Sequence, residues 1–221
     1  MDLDLFFEQA WLARFSLLSG LQVTIATSLL SILLATLAGL AMGAVLAYAW
    51  APFRWLARAY VDFMRGIPVL VLILFTFYGL ALFKVNVTPF AAGVIALSAF
   101  ATAHVAENLR GALQSVPAGQ MEAAKAIGLT FSKRLWYVII PQAVRRALPP
   151  WVNICLEIVK GSTLLSVIGV VELLLATQQA ISRNYMIIQF YLLAAILYLI
   201  VNFAIAQLGA LLERRFSYIR S

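Results

Sequence analysis

Residues 21–48 read LQVTIATSLLSILLATLAGLAMGAVLAY and contain no charged side chain. They lie inside a run of 39 uncharged residues between Arg14 and Arg54. The hydrocarbon core of a bilayer is about 30 Å thick, and a helix that rises 1.5 Å per residue needs about 20 apolar residues to cross it. This stretch is therefore long enough to span a membrane.

Three further uncharged runs follow along the chain. They contain 18 residues between Arg65 and Lys84, 22 between Lys84 and Glu107, and 29 between Arg183 and Glu213. Only 11% of the residues are charged and 64% are hydrophobic, whereas soluble globular proteins carry about 25% charged residues. The pattern predicts an all-α integral membrane protein with about five transmembrane helices, one of them in the segment described next.

The region between the third and the last uncharged run holds the most polar part of the chain. Here Pro117 is expected to begin a short helix, residues 128–130 to end it, and Thr130 or Ser132 to cap a second short helix. Beyond Pro149 and Pro150 the chain is apolar again. The predicted spans are residues 20–48, 60–83, 88–110, 147–175 with a break near Gly161, and 188–212, and the predicted loop is 111–146.

The distribution of Lys and Arg orients these spans. If the C-terminus is cytoplasmic, twelve Lys and Arg residues lie inside, against Arg14, Lys84 and Arg183 outside, with Lys160 left in the membrane. The positive-inside rule therefore predicts an extracytoplasmic N-terminus and a cytoplasmic loop 111–146. We expect an extracytoplasmic segment 1–16, one membrane domain 17–215 without internal repeats, and a cytoplasmic tail 216–221.

Composition also argues against other classes of protein. Asp2, Asp4 and Glu8 stand where a cleavable signal peptide would be basic, so we do not expect one. The lone Cys155 excludes an internal disulfide, and a single histidine offers little to a metal ion. The net charge of +7 does not indicate nucleic-acid binding, because the basic residues lie at the ends of the apolar runs.

The predicted cytoplasmic loop carries a regularly spaced motif. Its helix would present a small apolar face able to seat in a cleft of another protein, and glycine permits the chain reversal that follows. The spacing resembles the cytoplasmic signature of permeases of ATP-binding-cassette importers: Glu-Ala-Ala, three residues, Gly, nine residues, Ile, any residue, Leu, Pro. The matching residues are Glu122, Ala123, Ala124, Gly128, Val138, Ile140 and Pro141, with Val138 and Ile140 in place of the usual Ile and Leu.

Further motifs make the chain resemble polar amino-acid permeases of the histidine/glutamine/arginine type. Residues 65–68 (RGIP) resemble that family's Arg-Gly-Thr-Pro, with Ile67 departing. Residues 104–111 (HVAENLRG) resemble its Tyr-x-Ala-Glu-x-x-Arg-Gly, with His104 in the Tyr place. Residues 160–164 (KGSTL) resemble its Lys-Asp-Thr-Ser-Leu but lack the Asp. The resemblance covers about residues 21–215.

The resemblance carries several expectations. It implies the transmembrane domain of a type I ABC importer in a bacterial inner membrane. It implies a separate ATPase subunit that uses ATP and Mg, a second permease chain that is identical or different, and an extracytoplasmic solute-binding protein. The sequence has no Gly-x-x-x-x-Gly-Lys-Ser/Thr motif, so we do not expect this chain to hydrolyse ATP alone. The expected ATPase-docking residues are Glu122, Ala123, Ala124, Gly128 and Pro141.

Two charged residues, Glu157 and Lys160, fall inside the fourth predicted span. An unpaired charge in lipid costs about 2.5–3.5 kcal/mol on insertion scales, so they should pair or face a wet cavity. One interpretation is a structural ion pair. The other, which we favour, is a substrate pocket with Asn153, Ser162 and Thr163, in which Lys160 or the backbone at the break binds a carboxylate and Glu157 binds an amine.

The remaining polar and small residues have simpler interpretations. Glu107 and Arg110 lie three residues apart and predict a structural polar pair at a span end. His104 is expected to be a packing residue rather than a pH sensor. Gly39 and Gly43 form a Gly-x-x-x-Gly motif typical of helix packing.

Together these features predict the permease subunit of an ATP-driven importer that moves a polar or charged amino acid inward by alternating access. A stand-alone secondary carrier or channel is the alternative, and it would explain the spans but not the elaborate loop. A membrane-embedded enzyme would need a catalytic set. Lys160 and Ser162 are the only pair to consider, and their two-residue spacing places them on different helix faces. We expect no catalytic residue and no metal site.

Overall fold

The computed structural model describes residues 3–217, and all regular secondary structure within that range is helical. Residues 1, 2 and 218–221 lie outside it, so most of the predicted tail 216–221 is not described. The α-helices are α1 (Leu3–Tyr48), α2 (Ala51–Gly66), α3 (Val69–Leu74), α4 (Leu80–Leu82), α5 (Pro89–Gln114), α6 (Ala118–Ala126), α7 (Phe131–Arg134), α8 (Ile140–Gly161), α9 (Leu173–Asn184) and α10 (Ile187–Ser217). Two π turns, Phe75–Gly79 and Leu135–Ile139, and a 3-10 segment, Ser162–Ile168, link some of them.

Four helical runs in the described residues are long and apolar enough to cross a membrane, and a bent pair makes a fifth. The runs are Asp4–Tyr48, Pro89–Gln114, Phe131–Ile168 and Ile187–Phe216, and the pair is Ala51–Gly66 with Val69–Leu82. The predicted number of about five membrane helices is confirmed. The side of the membrane on which each end lies stays a prediction.

The second predicted span, 60–83, is not one straight helix. The two helices of the pair meet at 106°, and the break falls at Ile67 and Pro68. Ile67 is extended, with φ −98° and ψ 136°, because the ring of a following proline disfavours the helical conformation. Hydropathy alone did not reveal this break.

Helix α1 is longer than the predicted first span. Its 46 residues extend for about 69 Å at 1.5 Å per residue, well beyond the apolar thickness of a bilayer. Residues 3–16, predicted as a separate extracytoplasmic segment, belong to the same continuous helix. No proline interrupts residues 3–48, so nothing local ends the helix where the apolar stretch begins.

The loop 111–146 contains the first predicted short helix, and the second begins where predicted but does not end within the loop. Helix α6 starts directly after Pro117, as expected. Residue Thr130 precedes α7, without a side-chain cap bond. From Phe131 the chain is helical without interruption to Ile168, so Pro149 and Pro150 lie inside α8 rather than before the span.

The chain, predicted as one domain, divides into two compact units. One comprises residues up to Leu33 with Pro68–Ser98 and Leu156–Ala204. The other comprises Leu34–Ile67 and Ala99–Cys155 with the residues from Ile205 onward. Each unit has its own buried cluster of apolar side chains.

In the first unit, the core joins α1, α9 and α10. Leu17, Leu173, Ala176 and Phe190 are at most 5% exposed and pack together. The ring of Phe6 packs edge-to-face on Phe190 at a centroid distance of 5.8 Å.

In the second unit, α1 packs closely on α5. A β-carbon on Gly43 would lie 2.8 Å from the carbonyl oxygen of Ala106, and one on Gly39 would overlap Val105. Only glycine allows this approach, as the Gly-x-x-x-Gly motif predicted. A neighbouring cluster of Leu46, Ala57, Val61, Ala103 and Ala106 packs α2 against the same helices.

Candidate functional site

The loop helix α6 is held in place by a small apolar core. Ala112, Val116, Ile139 and Ala143 are buried together, and Met121 of α6 packs on them. The guanidinium of Arg146 also donates to the Ser115 carbonyl and hydroxyl, just before α6 begins. Helix α6 is therefore a fixed part of the second unit.

The outer face of α6 is exposed. Glu122 and Ala123 are accessible, and Ile127 at its end is 77% exposed. Ala124 is different: it is only 4% exposed and packs inward. Ala124 therefore does not belong to the exposed face of α6, because its position on the helix turns it toward its own chain, and the docking role of this motif stays a prediction. The large apolar side chain that this face exposes is that of Ile127.

The end of α6 is a complete Schellman turn around Gly128. The Gly128 N–H donates to the Lys125 carbonyl at 3.0 Å, and the Leu129 N–H donates to the Ala124 carbonyl at 3.1 Å. Gly128 has φ +81°, in the left-handed region. The chain reversal predicted at this residue is present.

Pro141 is the second residue of α8, inside the long helical run that begins at Phe131. The π turn Leu135–Ile139 ends just before it. A proline lacks the N–H that would bond four residues back and its ring crowds that carbonyl, which accounts for the widened turn. Pro141 is half-buried, so it shapes the helix more than it offers surface to a partner.

The fourth span carries an exposed polar face. Asn153, Glu157 and Lys160 follow one another at helical spacing on α8, and all three are exposed. Glu157 and Lys160 lie within the candidate span Phe131–Ile168. In residues 3–217, neither takes part in an ion pair, with each other or with a neighbouring helix. Such a face offers opposite charges to a zwitterion but is unsuited to lipid.

The predicted break at Gly161 is present as a change from α to 3-10 geometry. Thr163, just beyond it, donates to the Lys160 carbonyl at 2.7 Å and remains partly exposed. Ser162 is fully buried, and its hydroxyl donates to the Val159 carbonyl at 2.8 Å. Ser162 therefore does not share the exposed face, because its two-residue spacing from Lys160 places it on another side of the helix.

Glu107 is the centre of a larger network than predicted. It accepts from Arg110 Nε at 2.9 Å, as the predicted pair requires. It also accepts from Arg58 at 3.1 Å and lies 4.0 Å from Arg65. Both added arginines come from α2, and no local spacing in the sequence links them to α5.

His104 behaves as a packing residue. Its Nδ1 donates to the Phe100 carbonyl at 3.0 Å, and its ring lies 4.4 Å from that of Phe100. These contacts are local to α5, and none of them joins His104 to a carboxylate.

The buried carboxylate at the start of α9 was not among the predicted site residues. Glu172 is fully buried and accepts from the Leu174 and Leu175 N–H groups at 2.9 and 2.8 Å. The Tyr198 hydroxyl donates to it at 2.6 Å. The Leu173 N–H donates to the Thr24 hydroxyl at 3.1 Å. A glutamate that interrupts an apolar run was the available signal for a helix cap.

Residues 35–218 match the family described as the binding-protein-dependent transport system inner membrane component. This covers most of the chain, including the loop helix and the polar face of α8.

Several curated relatives are similar over most of their length. The probable glutamine ABC transporter permease protein GlnM of Bacillus subtilis is 31% identical over 90% of this chain and 92% of its own. The L-cystine transport system permease protein TcyB of the same organism is 39% identical over 74% of this chain and 70% of its own. The arginine ABC transporter permease protein ArtQ of Escherichia coli is 34% identical over 69% of this chain and 74% of its own.

Solved structures share the fold. The crystal structure of an amino acid ABC transporter with histidines is 34% identical, with a TM-score of 0.85 over 91% of this chain and 94% of its own. An inward-facing conformation of the MetNI methionine ABC transporter is 21% identical, with a TM-score of 0.77 over 91% of this chain and 96% of its own. The latter supports the fold alone.

Proposed function

Because this chain belongs to the binding-protein-dependent transport system inner membrane component family, we propose that it is the membrane-spanning subunit of an ATP-driven importer of a polar or charged amino acid. The observation that carries the proposal is the loop motif, which forms an exposed helix ending in a Schellman turn at Gly128. The relatives named for glutamine, cystine and arginine support an amino acid as the substrate.

Coupling to ATP hydrolysis would occur through α6. Glu122, Ala123 and Ile127 form an outward surface with a charged edge and an apolar end, suited to a cleft in a cytoplasmic ATPase. That partner would bind ATP and Mg. Since α6 is packed into the second unit by Met121 and the residues around it, a movement of α6 would be transmitted to the membrane helices. This is the proposed basis of alternating access.

The polar face of α8 is the proposed substrate contact. Lys160 would bind the α-carboxylate, Glu157 the amine, and Thr163 and Asn153 would add hydrogen bonds. Two exposed charges within a membrane span support this role, because lipid would not solvate them. A second permease chain, identical or different, would shield the face, and an extracytoplasmic solute-binding protein would deliver the amino acid.

The test is reconstitution. The chain, expressed with its neighbouring genes, is expected to copurify with an ATPase subunit, and proteoliposomes with both are expected to accumulate an amino acid only with ATP. Proteoliposomes with the chain alone are the control. Uptake by the chain alone, driven by an ion gradient, would instead establish the secondary carrier.

A further inference from the structure

Three arginines of the second unit share two carboxylates. Glu107 accepts from Arg110 Nε at 2.9 Å and from Arg58 at 3.1 Å, and it lies 4.0 Å from Arg65. Asp62 lies 3.5 Å from Arg58. The positive charge of this network is therefore only partly compensated within the part of the chain that the structure describes.

Arg54 adds a fourth positive charge, one helical turn before Arg58. It is exposed and, among residues 3–217, belongs to none of these ion pairs. Four arginines thus lie near two carboxylates, and the excess of positive charge attracts an anion.

A cavity of about 290 Å³ lies between the arginines of α2 and α5. Arg54 and Arg58 line it from α2, and Arg110 and Gln114 line it from α5. Residues four apart lie on the same side of a helix, so these two pairs face the cavity from its two helices. The remaining lining side chains are Trp55 and, from the end of α1, Leu46 and Ala47.

The polar groups that line this cavity are hydrogen-bond donors, and none of the lining residues is acidic. The Gln114 carbonyl accepts from the Arg110 guanidinium, which leaves the Gln114 amide N–H groups as donors. A guanidinium carries several N–H groups in a planar fork that matches the oxygens of a phosphate. The lining is therefore suited to a compact anion with several acceptor oxygens.

We propose that this cavity binds a phosphate group. Arg54 and Arg58 donate to its oxygens from α2, and Gln114 donates from α5. Phosphate fits better than a carboxylate, because its three or more oxygens can accept from two helices at once. A soluble phosphate compound and the phosphate of a lipid head group share this chemistry. The site does not depend on what the chain transports.

Isothermal titration calorimetry of the delipidated, detergent-solubilised protein, with the subunits that copurify, tests the proposal. The probe is inorganic phosphate at low ionic strength, where exposed charges are least screened. We expect Arg54→Gln to bind about fivefold more weakly than the wild type, the equivalent of one exposed ionic contact. Arg215→Gln, an exposed arginine of α10, is the matched control and should change nothing. Phosphate bound by an ATPase subunit would be common to all variants.

Gln114→Glu tests the same cavity from α5. It places a carboxylate of nearly the same shape among the arginines, so it should compete with the ligand and abolish binding in the cavity. Phosphate should raise the Tm of the wild type, because a ligand of the folded state stabilises it, and should raise the Tm of Gln114→Glu less.

Short-chain phosphatidylglycerol as a second probe identifies the source of the phosphate. Tighter binding of the lipid, with the same loss in Arg54→Gln, assigns the cavity to a lipid head group, and tighter binding of inorganic phosphate assigns it to a soluble ligand. The proposal is overturned if neither probe binds the wild type, or if Gln114→Glu binds as well as the wild type. Equal losses in Arg54→Gln and Arg215→Gln would also overturn it, because they would indicate diffuse surface charge rather than a site.

Discussion

Gly128 determines the shape of the loop at the scale of a single residue. Its φ of +81° lies in the left-handed region, and a β-carbon there would meet no heavy atom within 4 Å. Backbone conformation, and not lack of space, is therefore what requires glycine at this position.

Substitution at Gly128 is expected to weaken ATPase association without preventing membrane insertion. Gly128→Ala should cost about 1–2 kcal/mol in the turn, the usual penalty for a left-handed L-residue. Gly128→Asn is the matched control, since asparagine tolerates this conformation, and Gly128→Asp should be worse than Asn because it adds a charge beside the docking face. The measurement is the amount of ATPase that copurifies. Full ATP-driven uptake by Gly128→Asp would remove the reason to regard this loop as a docking site.

Glu172 is a second single residue that holds several parts of the structure together. One buried carboxylate accepts three hydrogen bonds, from the Leu174 and Leu175 N–H groups and from the Tyr198 hydroxyl. It thereby caps α9 and ties it to α10.

Removing this carboxylate should destabilise the folded chain. Glu172→Ala loses a helix cap and leaves the Tyr198 hydroxyl without its acceptor, a loss of about 2 kcal/mol or, for a chain of this size, about 4–8 °C in Tm. Tyr198→Phe removes a single hydrogen bond and should cost about half as much. Thermal unfolding of the purified complex measures both. An unchanged Tm in Glu172→Ala would show that the network contributes nothing.

At the scale of an element, α8 combines a continuous membrane helix with an exposed polar face. This face exists because Asn153, Glu157 and Lys160 are three or four residues apart, which places their side chains on the same side of the helix. Ser162 is buried because its position two residues after Lys160 places it on another side of the helix.

A double substitution distinguishes a substrate pocket from a structural pair. If the two charges serve only the structure, Glu157→Gln with Lys160→Met removes both together and should transport nearly normally. If they bind a zwitterion, the variant should insert, assemble and hydrolyse ATP but fail in uptake, the outcome we expect. Ser162→Ala is the control, and its KM should not change because its hydroxyl is bonded inside the helix. Normal uptake by the double variant would show that the two charges do not bind the substrate.

At the scale of the whole molecule, the open question with the clearest test is orientation. The charge bias predicts the loop 111–146 on the cytoplasmic side and the turn between α4 and α5 outside. Both segments are accessible to reagents: Ser132 and Asn86 are exposed.

Cysteine labelling should report this orientation directly. A cysteine at Ser132 should react only after the membrane is opened to the reagent, and one at Asn86 should react in intact cells. The native Cys155 is buried and provides a low background. The reverse pattern of labelling would invert the predicted topology.

Much of the architecture was predictable from the sequence because it depends on local properties. The number of membrane helices follows from the lengths of uncharged runs, since lipid requires each segment to satisfy its own backbone. The start of α6, the turn at Gly128 and the break at Gly161 follow from residues adjacent to them. The bend at Pro68 could have been predicted from the proline in the same way. It was missed because the span 60–83 was assigned from hydropathy alone.

What only the tertiary structure decided is which face of each helix is covered. The sequence by itself determined a helical membrane protein with a regularly spaced loop motif and two charges in its fourth span. It did not determine that Arg58 and Arg65 meet Glu107, that Ala124 turns inward, or that Glu172 bonds Tyr198. The physical reason is that a helix forms through bonds four residues apart, whereas the exposure of its side chains is set by segments tens of residues away.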